Sequence, residues 1–146
     1  MRDAAEAFAP QARELGIELS VMSGEALPVV LDPERLAQIA ANLIENALKY
    51  ATSRVEVYAA MQSDGRVAVV VVDDGPGIPA DRMARVFDRL YTVRETPGRS
   101  VGTGLGLAIV RELAAAMGGS ARAEAAPGGG TRFVVSLPLH ARTMGA

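Results

Sequence analysis

"VAVVVVDDGPGIP", residues 67–79, joins two unlike halves. The opening run is apolar and mostly β-branched, the composition of a strand buried on both faces. It predicts a central strand of a sheet. The second half is two acids, two glycines, two prolines and an isoleucine, more than a turn requires. Asp73 falls at or just past the strand end, either at the surface or lining a cleft. Gly75 and Gly77 permit close backbone approach, Pro76 and Pro79 stiffen the turn, and Ile78 stands apolar among turn residues. Two readings fit. One is a plain strand-to-helix connection in which Pro79 starts the helix. The other is a rigid edge for a flat heteroaromatic ring, with Asp73 accepting from an exocyclic amine and Ile78 covering a ring face. Asp74 points the other way if strand geometry continues, and is expected to be dispensable for that recognition.

The neighbouring segments supply the rest of a sheet. "SRVEVYAAMQ" (53–62) alternates and reads as a strand, joined to residues 66–72 by the hairpin signal Asp64-Gly65. Residues 17–22, 27–31, 120–126 and 131–139 also read as strands, the last two joined by "PGGG". Helices are predicted over 3–15, 32–51 and 105–119, with a short one over 80–88. Asp32 is the N-cap of the second and Pro33 its first helical residue. The polar segment 92–103 reads as a long loop, a length that is functional or disordered inside compact domains. Roughly five strands in hairpin-like succession and three helices predict an α+β fold, one mixed, mostly antiparallel sheet under a helical layer.

Composition narrows the chemistry. The chain has 146 residues, one domain's worth, and about half of them (49%) are apolar. A net charge of −2 gives no basic surface for nucleic acid. Without cysteine there are no disulfides and no thiolate chemistry, and with His140 as the single histidine there is no multi-histidine metal site. No apolar run approaches a membrane span, and the charged N-terminus lacks the apolar core of a signal peptide.

On the helix 32–51, Leu36, Ile39, Leu43, Ala47 and Tyr50 share one side, while Asn42, Asn46 and Lys49 share the opposite one, with Glu45 at its edge. Amides can bind Mg²⁺ and an ammonium can meet phosphate; an ordinary solvated polar face fits as well. In "VGTGLGLAIV" (101–110), Gly102, Gly104 and Gly106 alternate before a helix start. The run is neither a Walker A loop nor a dinucleotide fingerprint, since Leu107 stands where the latter needs glycine. Phosphate binding at exposed backbone N–H groups and a glycine hinge both fit.

Together these stretches resemble the catalytic ATP-binding domain of sensor histidine kinases, in the gyrase, histidine kinase and MutL ATPase superfamily. "NLIENALKYA" is similar to the asparagine box, "DDGPGIP" to the first glycine box and "VFDRLY" to the phenylalanine box. "GTGLGLAIV" is similar to the second glycine box and "GGGTRF" to the closing glycine-threonine strand. The boxes stand in family order over residues 17–138.

The resemblance implies a Bergerat-type α/β sandwich with a flexible ATP lid, and ATP and Mg²⁺ as cofactors. It implies catalytic roles for Asn42, Asn46 and Lys49, with Asn46 on Mg²⁺, Asn42 by the phosphates and Lys49 on a phosphate. Tyr50 would flank the nucleotide, Asp73 would take the adenine amino group, and Gly75, Gly77 and Ile78 would shape its pocket. Gly102, Thr103, Gly104, Leu105, Gly106 and Leu107 would border the phosphates, Thr131 would close the adenine end, and Phe87 would anchor the lid. Tyr91 and Arg94 belong to the lid side; Leu90 and Thr92 depart from the usual aromatic and basic residues there. By the same resemblance residues 1–16 are a helix or linker from a dimerisation domain, 17–140 the ATP-binding domain and 141–146 a tail. The phosphoacceptor histidine would lie on the dimerisation domain of a longer kinase. Its cytoplasmic catalytic domain would serve a membrane sensor and a response regulator, and would be monomeric alone. A stand-alone anti-sigma-factor-type serine kinase and a non-catalytic interaction module are the alternatives.

Overall fold

The computed structural model describes residues 2–22, 32–88 and 106–138. In chain order it holds α1 (Arg2–Leu15), β1 (Glu18–Val21), α2 (Pro33–Tyr50), β2 (Arg54–Met61), β3 (Val67–Asp73), α3 (Gly106–Ala116), β4 (Ser120–Ala125) and β5 (Thr131–Leu137). The predicted strand 27–31, the loop 92–103, His140 and the tail lie outside the described residues.

Helix ends follow the signals in the chain. Asp32 accepts hydrogen bonds from the backbone N–H groups of Glu34 and Arg35, capping α2 ahead of Pro33. α1 and α3 close alike. Ile17 N–H reaches the Ala12 carbonyl and Gly16 N–H that of Arg13; Gly119 reaches Ala114 and Gly118 reaches Ala115. Each is a Schellman motif with a glycine in the left-handed region, at φ +70° for Gly16 and +80° for Gly118.

The sheet runs β1-β2-β3-β5-β4, with β1 parallel to β2 and the other pairs antiparallel. The valine strand β3 is its centre, as the sequence predicts. Alternation divides its side chains. Val69 and Val71 join Val55, Val57, Phe133, Val135 and Leu137 under the helices. Ala68 and Val70 join Val134, with Tyr58 and Val72, on the opposite face. Ile39, Leu43, Ile44 and Leu48 of α2 are fully buried on the first set, each worth roughly 1.5–3 kcal/mol of apolar burial.

Two differences from expectation have physical causes. Residues 80–88 form only a single 3-10 turn, Met83–Arg85, within a succession of tight turns. The segment's buried apolar residues, Val86 and Phe87, are adjacent, so no helical stripe drives a regular helix. On α2 the buried set is Ile39, Ala40, Leu43, Ile44, Ala47 and Leu48, without Tyr50, which lies one turn from Asn46 and so shares its cleft side rather than the opposite one. α2 lies on the sheet between α1 and α3, which buries more of its circumference than one stripe. α1 packs into the same core. Ala4, Ala5 and Ala12, with Phe8 and Leu15, share the core cluster of α2 and the sheet.

Candidate functional site

The end of β3 meets the C-terminal half of α2. Asn46 and Tyr50, one helical turn apart, line a cleft with Asp73, Gly77, Ile78, Val86, Leu107, Thr131 and Phe133. Its empty volume is about 390 Å³ with the solvent-open mouth included. Its apolar lining comes from Ile78, Val86, Leu107 and Phe133, and its polar groups are Asn46, Asp73 and Thr131 with the Tyr50 hydroxyl.

Asp73 is the acid of the cleft. It is only 3% exposed and accepts the Gly75 N–H at 2.9 Å. The register pairs it with Thr131, whose backbone N–H also donates to its carboxylate. Burial pushes its pKa up to about 6, the hydrogen bonds from Gly75 and Thr131 oppose that, and the charge of Asp74 adds to it. A buried acceptor held by two fixed donors can read a donor on a planar ring.

Gly75 serves a contact inside the fold. A Cβ there would lie 2.2 Å from the Tyr50 carbonyl oxygen and 2.9 Å from Asp73 Oδ1. It lets the strand end lie flush on the end of α2. Gly77, at φ +82°, turns the chain so that Ile78 reaches the cleft. Gly106 opens α3 beside Asn42, with the position of a Cβ 3.4 Å from Asn42 Oδ1. Asn42 Nδ2 donates to the Gln38 carbonyl at 3.0 Å, and its oxygen faces α3.

The structure therefore brings together Asn46, Tyr50, Asp73, Gly77, Ile78, Leu107 and Thr131, with Asn42 and Gly106 adjoining one another nearby. Lys49 is half-buried in the last turn of α2 and is not among the residues lining the cleft. Glu45 is exposed. Tyr91, Arg94, Gly102, Thr103, Gly104 and Leu105 lie outside the described residues. Phe87 packs edge-on against Phe133, ring centres 6.2 Å apart, which ties the segment after the glycine turn to β5.

The sequence patterns do not single out Val86, Phe133 or Gly130. Alternation from Thr131 finds Phe133 once the β3–β5 register is known. A Cβ on Gly130 would lie 2.0 Å from the Asp73 carbonyl oxygen, a contact no local pattern announces.

No group of three or more His, Cys, Asp or Glu that could hold a metal occurs among the described residues. A cation here would rely on one carboxamide and on ligand oxygens, a donor set that suits Mg²⁺, which keeps waters and phosphate oxygens as ligands.

A family model described as "Histidine kinase-, DNA gyrase B-, and HSP90-like ATPase" matches residues 31–141. The signal transduction histidine-protein kinase AfsQ2 of Streptomyces coelicolor is 49% identical over 108 residues, 74% of this chain and 20% of that protein. The sensor histidine kinase CpxA of Escherichia coli is 36% identical over 135 residues, 91% of this chain and 29% of that protein. Among solved structures, full-length ShkA in complex with AMPPNP superposes with a TM-score of 0.76 at 36% identity, over 97% of this chain and 30% of that one. The chain thus spans under a third of the length of these relatives.

Proposed function

The chain belongs to the histidine kinase-, DNA gyrase B- and HSP90-like ATPase family, and from that premise we propose that it is the catalytic domain of a sensor histidine kinase. It binds Mg·ATP and donates the γ-phosphoryl group to a histidine on a separate dimerisation domain, for relay to a response regulator. The observation that carries this reading is one cleft lined by both Asp73 and Asn46.

Adenine lies on the apolar lining, where Ile78, Leu107 and Phe133 supply ring contacts and Asp73 accepts from the exocyclic amine. Thr131 closes the adenine end and holds Asp73 through its backbone. The triphosphate runs toward Asn46, Asn42 and the start of α3, where the helix end favours anions. Lys49, in the turn after Asn46, reaches a phosphate oxygen from outside the cleft wall. The carboxamide of Asn46 would hold Mg²⁺, which would supply charge neutralisation for the transferred group. The protein's task is positioning and charge stabilisation. The base for the acceptor imidazole belongs to the dimerisation domain.

No described helix is long and apolar enough to cross a membrane. The domain works on the cytoplasmic side of a membrane sensor, and alone it binds nucleotide but turns it over slowly or not at all. Titration of AMPPNP by calorimetry, with and without Mg²⁺, tests the reading. Saturable, Mg²⁺-enhanced binding is expected; no binding at millimolar analogue overturns it.

A further inference from the structure

Asp74 has a use that its place next to the cleft acid hides. Its side chain leaves the cleft and brackets the turn between α2 and β2. Oδ1 accepts the backbone N–H of Thr52 at 3.0 Å, of Ser53 at 2.9 Å and of Arg54 at 3.0 Å. Oδ2 accepts the Ser53 hydroxyl at 2.5 Å and lies 3.2 Å from the Ser53 N–H. The Asp74 N–H donates back to the Arg54 carbonyl at 3.3 Å. Partial burial of the carboxyl raises its pKa, but the Ser53 hydroxyl and the N–H groups of Ser53, Arg54 and Thr52 outweigh that and hold it well below the usual carboxylate range.

The bracketed turn begins directly after Ala51, the residue that ends α2. The same helix end carries Tyr50, and Tyr50 and Asn46 line the cleft from α2 while Asp73 and Thr131 line it from β3 and β5. The helix end and the strand end meet without a spacer at Gly75, which lies flush on the Tyr50 carbonyl, while Gly130 lies against the Asp73 carbonyl. The strand end is thus clamped between a helix end and a hairpin, and Asp74 ties it to the helix end by hydrogen bonds.

We propose that Asp74 is a positioning residue for adenine recognition, setting the gap between Asp73 and the Asn46/Tyr50 lining by bracketing residues 52–54. This rests on the nucleotide site proposed above. Asp74 touches no ligand. It acts through the place of Asp73, so its loss shows in base discrimination rather than in phosphate binding.

The test measures Kd for AMPPNP and for GMPPNP with Mg²⁺ on the 146-residue chain, in the parent, Asp74→Ala, Asp74→Asn, Ser53→Ala and the remote control Val134→Ala. All are read at a temperature where circular dichroism shows each variant folded. Asp74→Ala is expected to weaken AMPPNP about 10-fold or more, with the preference over GMPPNP falling toward unity. Asp74→Asn keeps an oxygen at the Oδ1 position and should stay within about threefold of the parent. Ser53→Ala, which removes only the hydroxyl donor, should lose about two- to fivefold. Val134→Ala should lower Tm and leave both Kd values in place, which separates positioning from stability.

A folded Asp74→Ala with the parent's affinity and preference overturns the proposal. So does an Asp74→Asn that loses as much as Asp74→Ala. If Asp74→Ala does not fold, a Ser53→Ala with parent values overturns it instead. A parent chain that binds neither analogue defeats the nucleotide site itself; a parent that prefers AMPPNP beside indifferent Asp74 variants defeats only the role of Asp74.

Discussion

The two antiparallel hairpins of the sheet share one hydrogen-bond pattern and differ in what surrounds them. In the β2–β3 hairpin, Gln62 N–H reaches the Arg66 carbonyl and Gly65 N–H that of Gln62. In the β4–β5 hairpin, Ala126 N–H reaches the Gly130 carbonyl and Gly129 N–H that of Ala126. Both are three-residue loops, "SDG" and "PGG". The residue after the loop is Arg66 in one and Gly130 in the other. A Cβ on Gly65 would meet nothing within 4 Å, whereas one on Gly130 would lie 2.0 Å from the Asp73 carbonyl oxygen and 3.0 Å from Asp74 Cα. The first turn spends its glycine on conformation. The second is left-handed at Gly128, Gly129 and Gly130, and at Gly130 the hairpin also leans on the backbone of the cleft acid.

The largest effect is expected at Gly130. Alanine there meets both a left-handed backbone, φ +97°, and the Asp73 backbone. Gly130→Ala should cost about 3 kcal/mol or more, read as a lowered urea midpoint, and should weaken AMPPNP binding in whatever folds. Gly75→Ala belongs to the same class, since its Cβ would overlap the Tyr50 carbonyl. A Gly130→Ala chain as stable as the parent would show that the hairpin does not bear on Asp73.

Next comes the acid that this contact encloses. Asp73 has a folded pKa of about 6 against an ordinary 3.8. The folded chain then holds its proton over a window where the unfolded chain has lost it. Stability therefore falls as pH rises from about 4 to 6, and the cost is fully present above that window, on the order of 3 kcal/mol. Asp74 runs the other way: its depressed pKa contributes stability above the ordinary carboxylate range that is lost as pH falls below it. Urea midpoints for the parent should drop between pH 4.5 and 7, and Asp73→Ala should flatten that slope. An unchanged slope would mean that burial does not disfavour the Asp73 charge.

Much of the fold is legible in the sequence because it is local or periodic. The valine run marks the central strand, Asp32-Pro33 starts α2, and glycines 16 and 118 stop α1 and α3. The asparagine face and "DDGPGIP" also point at one ligand from the sequence alone, and Asn46, Tyr50, Asp73 and Ile78 do line one cleft. The hidden part depends on register and on contacts between distant segments. Thr131 meets Asp73 only because β5 pairs with β3 in one register. By its pattern Gly75 makes room for a ligand, but in the fold it makes room for the end of α2. The pattern makes Asp74 dispensable for base recognition, the reverse of the positioning role proposed above, because its partners at residues 52–54 are about twenty positions upstream and donate mainly from backbone.

Substitution of the acid itself is smaller in stability terms but selective. Asp73→Ala removes the acceptor for the adenine amine, and a hydrogen bond to a charged group is worth about 1.5–3 kcal/mol, or roughly 10- to 100-fold in AMPPNP affinity. GMPPNP binding should change little. If Asp73→Ala bound both analogues as the parent does, the acid would not be the base reader.

The smallest effect is expected at the exposed hairpin. Gly65 has φ +83° and open space around it, so alanine there meets only the left-handed backbone, a cost of about 1 kcal/mol. Asparagine tolerates that region better than alanine, so Gly65→Asn should recover part of the loss. Asp64 Oδ1 still accepts the Arg66 N–H in both variants and keeps the loop closed. Neither change should touch AMPPNP affinity, since none of the cleft residues lies in that loop. At Gly130 the same pair of substitutions should show no such recovery. There the side chain has nowhere to go, and asparagine is larger than alanine. Recovery by asparagine at 65 and its absence at 130 would separate a glycine kept for its backbone angle from one kept for what lies against it.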